Sequence, residues 1–530
     1  MISERIEIWL ERLGDRINPI LVKETRQALK SRQFSGTFML LLAASLLISF
    51  AGIALAGPDM DYRSAGAEFF VFYFSVLAFA VFVVVPYGAY RSLAAEHEER
   101  TFELLAITTL RPGQIVTGKL LSSAIQMFIY YSAIAPFMAF TYLLKGIDVA
   151  SIFFVLAISL LASVGFAMVG LLMATFANRK AMQVVLSVTM ITGLGFATVG
   201  SIPLCAVIVD ELAGELRERE FWIAMSCLFT AYATTFLVIY QLSIAQLTFE
   251  SDNRSSKVRA AVVFQFMCFL AWVAWGWIVE VGGEREYLIA MAIVGGVYLS
   301  AVGSFLSAEP PGLSRRVARE VPRSSVLRSL AALFYPGAGT GLGLLLATLI
   351  TLAVSIFLLE ATESIVVTSL RPGRGTRFMP TAMAVVIAAY VFFYVGLAAL
   401  VCNFLRRFRP VPAVAGTAVG AILASMGSLI PNFIQLFRRV PYQSYELWQV
   451  TDPVMTLSEV WKLPAPDSPL VFIPITLAGL VLLANLRLMA RGLLEIEWAG
   501  RGMRRAVETP LVAVLQPAAS PPVAEPAAGG

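Results

Sequence analysis

Charge is what this sequence has least of. Only 14% of its 530 residues are Asp, Glu, Lys or Arg, while 58% are hydrophobic. A soluble domain carries about 25% charged residues, so a water-soluble globular fold is excluded. Histidine is scarcer still. The one histidine, His97, has acidic neighbours but no second imidazole, and it reads as an exposed residue on a polar helix rather than a site of metal or proton chemistry. The four cysteines, Cys205, Cys227, Cys268 and Cys402, all fall within apolar runs and none is in a Cys-x-x-Cys pair. That spacing indicates neither a disulfide framework nor a zinc site, and leaves the thiols as small hydrophobes. No Gly-x-x-x-x-Gly-Lys-Ser/Thr loop is present to cradle nucleotide phosphates, and neither a zincin motif nor Gly-x-Ser-x-Gly occurs. The chain itself is therefore expected to be no enzyme and to hold no cofactor.

What the sequence does have is length of apolar run. A helical crossing of the bilayer core takes about 20 apolar residues, whereas barrel strands alternate over about ten. Twelve runs qualify, at about 38–56, 67–89, 120–144, 150–176, 181–209, 221–247, 261–279, 287–307, 341–359, 381–404, 412–430 and 469–486. The predicted fold is all-α, a polytopic helical membrane protein. Its expected division is an interfacial segment 1–37, a six-span half 38–260, a second six-span set 261–486 with an external segment 431–468, and a tail 487–530. Ile2, Ile6, Trp9, Leu13 and Ile17 recur every three or four residues, which predicts an amphipathic helix in the headgroup layer. Arg487–Arg505 is expected to lie along the membrane surface. The Pro- and Ala-rich stretch from about 506 reads as disordered. The aromatics Tyr442, Tyr445, Trp448 and Trp461 predict a membrane-hugging cap over 431–468.

Basic residues set the orientation. With the N-terminus inside, 29 of the 40 lysines and arginines fall on cytoplasmic segments and 11 on external ones. The positive-inside rule then places both termini in the cytoplasm of a cell whose plasma or inner membrane holds the protein. Because these cations sit at the ends of apolar runs rather than on one soluble face, nucleic acid is a poor partner. No ionisable residue lies in the middle of a proposed span. Ion-coupled carriers usually place such groups there, so a driver outside the membrane is favoured.

The polar interruption Arg91–Lys119 separates the second and third runs. Glu98–Ile107 has helix-forming residues and no Gly or Pro. Glu96, Glu99 and Glu103 share one face, and Phe102, Leu105 and Ala106 occupy another. Two readings fit this spacing: a helix that docks into a partner's groove, and an ordinary solvated helix resting on the membrane.

This loop resembles the first cytoplasmic loop of ABC-2-type ABC transporter permeases, roughly Glu-x-Glu-x-Gly-Thr-Leu-Glu-Leu-Leu, then Thr-Pro, then Ile-x-x-Gly-Lys. The matching residues are Glu96, Glu98, Thr101, Glu103, Leu104, Leu105, Thr108, Ile115, Gly118 and Lys119. Arg100 stands where Gly is usual, Phe102 where Leu is, and Thr109 where Pro is. Upstream, Asn18-Pro19-Ile20-Leu21 with Lys23, Glu24 and Arg26 looks like the family's elbow helix. The resemblance covers about residues 18–250.

It implies a coupling helix through which Glu96, Glu98, Thr101, Phe102, Glu103, Leu104, Leu105 and Thr108 touch a separate ABC ATPase subunit, with ATP on that subunit. It also implies an external broken helix, for which Gly193–Asp210, with Gly195, Gly200 and Pro203, is the candidate. One chain then supplies one coupling loop, and a second permease chain is expected to complete the path through the bilayer. The resulting expectation is the membrane subunit of an ABC exporter of unknown substrate. The alternatives are a twelve-span secondary carrier and a non-transporting scaffold or regulatory protein.

Overall fold

The computed structural model describes residues 18–56, 65–98, 110–177, 180–281, 285–310, 312–370, 379–409, 411–412, 414–438, 445–462 and 469–501. Of these, 89% are helical and none is in a strand. Among the described residues twelve helices are long and apolar enough to cross a membrane, and they match the twelve sequence runs one for one. The protein is a polytopic all-α membrane protein.

The helices are α1 (Pro19–Leu29), α2 (Arg32–Ala56), α3 (Gly66–Ala78), α4 (Val85–Glu98), α5 (Pro112–Leu143), α6 (Val149–Thr175), α7 (Lys180–Glu215), α8 (Arg219–Leu247) and α9 (Ser256–Gly276). They continue with α10 (Arg285–Ser307), the short α11 (Arg315–Glu320) and α12 (Ser325–Ala331), then α13 (Ala338–Leu370), α14 (Met379–Leu405), α15 (Val414–Arg438), α16 (Pro453–Lys462) and α17 (Pro469–Gly500). Two compact units emerge: residues 1–295 with 351–384, and residues 296–350 with 385–530.

In the first unit α3 and α4 form one span joined by a π-helical turn, Phe79–Val84. A π turn alters the backbone hydrogen-bond ladder. Here the Ser163 hydroxyl of α6 donates to the Val81 carbonyl inside that turn. Further hydroxyl bonds tie α2 to α5 through Thr37 and Tyr130 at 2.7 Å, α2 to α3 through Ser49 and Tyr73 at 2.8 Å, and α5 to α6 through Tyr131 and Ser159 at 2.7 Å. Such bonds, together with close packing, are what hold helices together where lipid removes the hydrophobic drive.

In the second unit, Gly339 and Gly341 let α13 start against other backbone. A Cβ on either would fall 2.2 or 2.3 Å from the Leu488 and Leu306 carbonyl oxygens respectively. A small apolar cluster of Val317, Val321, Ala332, Tyr335 and Ile496 seats α11 and α12 against α17.

Three expectations are corrected. Gly193–Asp210 is not a broken helix, because α7 runs unbroken through Gly195, Gly200 and Pro203. In an apolar environment the backbone has no alternative partner to the helix, which is why Gly and Pro are tolerated there. Arg487 to Gly500 is no separate surface segment but the last turns of α17. Its Leu, Ala, Arg and Glu are good helix formers, no proline interrupts them, and the one interior glycine, Gly492, does not end the helix. The segment 431–468 begins inside α15, with Pro431 within the helix, and its later part forms a 3₁₀ turn, Leu447–Thr451, and α16. The predicted helix over Ile2–Ile17 and the tail beyond 501 lie outside the described residues.

Candidate functional site

The interruption Arg91–Lys119 is shorter in the structure than in the sequence. Helix α4 continues through Leu93, Ala94, Ala95 and Glu96 to Glu98, and α5 already begins at Pro112. Proline suits a first helical position because its missing N–H would be unpaired there anyway. Gln114 accepts the Arg111 N–H at 2.9 Å, closing the first turn. Of the residues expected to touch a partner, Thr101, Phe102, Glu103, Leu104, Leu105 and Thr108 lie outside the described residues. Only Glu96 and Glu98 can be placed.

Where α4 leaves and α5 enters, the elbow-like helix α1 packs across α5. Asn18 starts α1 and does two jobs. Its Oδ1 accepts the Ile20 N–H at 3.1 Å, as an N-cap should. Its Nδ2 donates to the Gln114 carbonyl in the first turn of α5. Pro19 occupies the first helical position. One step further, Gly118 of α5 faces Ile20. A Cβ on Gly118 would sit 2.9 Å from the Ile20 Cβ and 3.0 Å from Asn18 Nδ2. Helix α1 can lie this close because position 118 has no side chain.

Lys119, the next residue, is the centre of the junction. Its side chain is only 1% exposed. The ammonium donates to Glu24 Oε1 of α1 at 3.0 Å and to Glu96 Oε1 of α4 at 3.0 Å. Longer contacts reach the Ser92 hydroxyl at 3.3 Å and the Ser92 carbonyl at 3.4 Å. Three helices thus meet on one buried cation. An ammonium within a membrane helix costs several kcal/mol, about 2.5–3.5 on insertion scales, unless counter-charges and hydrogen bonds meet it. Here two carboxylates and a hydroxyl do so.

The other expected residues fall differently. Glu98 is exposed, at the last turn of α4, with Gln183 donating to it at 3.5 Å. Lys23 and Arg26 are exposed on the outer side of α1. Glu24 and Glu96 turn inward to Lys119. Ser92 and Gln114 carried no signal in the sequence, since a serine and a glutamine near helix ends are unremarkable there. Lys119 and Gly118 were visible only as the tail of a loop pattern.

The arrangement mechanically joins both sides of the loop 99–109 to α1. Among the described residues no group of three or more His, Cys, Asp or Glu is placed to hold a metal. Twelve spans and a charge-locked loop base fit a membrane transporter in general. Comparison of the chain with protein-family models, with characterised proteins and with solved structures yields no match.

Proposed function

We propose that the chain is the membrane-spanning permease subunit of an ABC exporter, driven by a separate ATPase subunit that docks on the loop between α4 and α5. The observation that carries this reading is the Lys119 junction. A force applied at the loop reaches α4 through Glu98 and Glu96, α5 through Pro112 to Lys119, and α1 through Glu24 and Asn18. A loop that merely rested on the membrane would have no use for a buried ion centre at its base, where a neutral pair of the same shape is often as stable. The loop pattern supplies the acidic and apolar residues for the contact: Glu98, Thr101, Phe102, Glu103, Leu104, Leu105 and Thr108. In this reading the loop and both termini face the cytoplasm, ATP stays on the partner, and two permease chains line the path.

Co-expression with the cognate soluble ATPase tests it. The purified chain alone should turn over no ATP, and the added ATPase should associate with it. Glu98→Cys should crosslink to that subunit, and Glu103→Ala should reach the membrane yet lose the association. Transport driven by an ion gradient with no ATPase present, or unchanged association in Glu103→Ala, would sink the proposal.

A further inference from the structure

A second feature of the first unit stands apart from the Lys119 junction. The first turn of α5, the last turns of α8, the connection after Thr248 and the first turn of α9 line an open cavity of about 540 Å³. That is the size of a small-ligand pocket. Its lining is amphiphilic. Ile244, Leu247 and Phe249 give an apolar wall, and Phe249 is 53% exposed. Arg111, Arg254 and Lys257 supply three cations against the single acid Asp252. Arg254 is held in place through its Nε, which donates to the Thr248 carbonyl at 2.7 Å. Burial pulls its pKa below the ordinary arginine value, against the opposing pull of Glu250 and Asp252, so this cation is partly stripped of water. Gln241 also lines the cavity, and no hydrogen-bond donor reaches its Oε1.

The chemistry these groups would recognise follows directly. Three cations call for a phosphate. A buried carbonyl oxygen calls for a hydroxyl donor beside that phosphate. The apolar wall, at the level where α5 and α8 end their apolar runs, calls for hydrocarbon continuing into the bilayer. Basic pockets between transmembrane helices bind anionic headgroups in this manner. We infer that this cavity is a binding site for a phosphoglycerol headgroup, supplied by an anionic phospholipid. The site is independent of whether an ATPase drives the protein.

The test uses the full chain in nanodiscs of equal parts phosphatidylglycerol and phosphatidylcholine with identical acyl chains. Lipid retained after detergent extraction is counted by native mass spectrometry. Wild type should retain phosphatidylglycerol roughly tenfold over phosphatidylcholine, as expected for several cations near one headgroup. Arg111→Gln with Lys257→Gln should bring the ratio to parity. Gly113→Leu keeps every cation but fills the cavity, since a Cβ there lies 3.6 Å from Ile244 Cδ1, an ordinary contact; it should also abolish the preference. Arg217→Gln with Arg219→Gln, at the opposite end of α8, should leave it intact. A preference unchanged in both cavity variants would overturn the assignment. Displacement of the lipid by an equal concentration of free glycerol 3-phosphate would also overturn it, by assigning the cavity to a soluble phosphate.

Discussion

The buried cation Lys119 of the first unit and the buried cation Arg328 of the second are held on different principles. Lys119 is 1% exposed, its two carboxylates 13% exposed, and the three belong to three separate helices. Arg328, on α12, makes a two-pronged pair with Glu497 of α17 at 2.7 and 2.9 Å. Glu497, however, is one-third exposed and has a second cation, Arg501, one turn away at 2.8 Å. Remove Arg328 and its acid keeps Arg501 and water; remove Lys119 and two largely buried acids lose the cation they share. The first centre is a keystone, the second a clasp. Elsewhere in the second unit, Arg406 donates to the Ala308 and Glu309 carbonyls, and uncharged donors tie other segments: Tyr390 donates to the Val450 carbonyl and to Thr456, Gln449 donates to Gln435, and Asn432 donates to Asp452, which caps α16.

The contrast breaks first at Lys119. Lys119→Met should destabilise the protein by about 3–5 kcal/mol, the usual cost of stranding buried charge, read as a fall in thermal midpoint in detergent. The triple variant Lys119→Met, Glu24→Gln, Glu96→Gln should recover most of that loss. If it does not, the junction is ordinary packing rather than an ion centre.

Next in size is Gly118→Ala, which forces a Cβ against Ile20 and should cost about 1–3 kcal/mol by overpacking. Combined with Ile20→Gly, the loss should be smaller than the two single losses together; strict additivity would show that α1 does not ride on position 118. Asn18→Ala removes the cap of α1 and should cost about 1 kcal/mol, with α1 becoming more accessible to protease. The smallest effect is expected for Arg328→Gln, whose thermal midpoint should fall measurably less than that of Lys119→Met. An equal fall would erase the distinction between keystone and clasp.

The spans were legible because length of apolar run is a strong and local signal, and each of the twelve became a helix. The helix ends were less so. Leu93 to Glu98 and Arg487 to Gly500 carry charge, so hydropathy stops where the helix does not. The broken helix expected near Pro203 failed because glycine and proline signal turns in water, where the freed backbone finds partners, and lipid offers none. The site was only half legible. Glu96 and Lys119 stood out at the two ends of the loop pattern and Glu24 in the separate elbow pattern, with nothing to join the three. An ion pair spanning 95 residues leaves no trace in local spacing, so their convergence appears only once α1, α4 and α5 are packed.

The order of residues in the keystone also bears on how the protein is made. Glu24 and Glu96 precede Lys119 by 95 and 23 residues, so a ribosome delivers both acids before the base. When α5 emerges, its ammonium meets counter-ions already stationed at the bilayer, and the third span enters without carrying a naked charge into lipid. Arg328 leaves the ribosome 169 residues ahead of Glu497. It can wait that long because α12 lies outside the twelve spans, where water can hold the guanidinium until the last helix arrives.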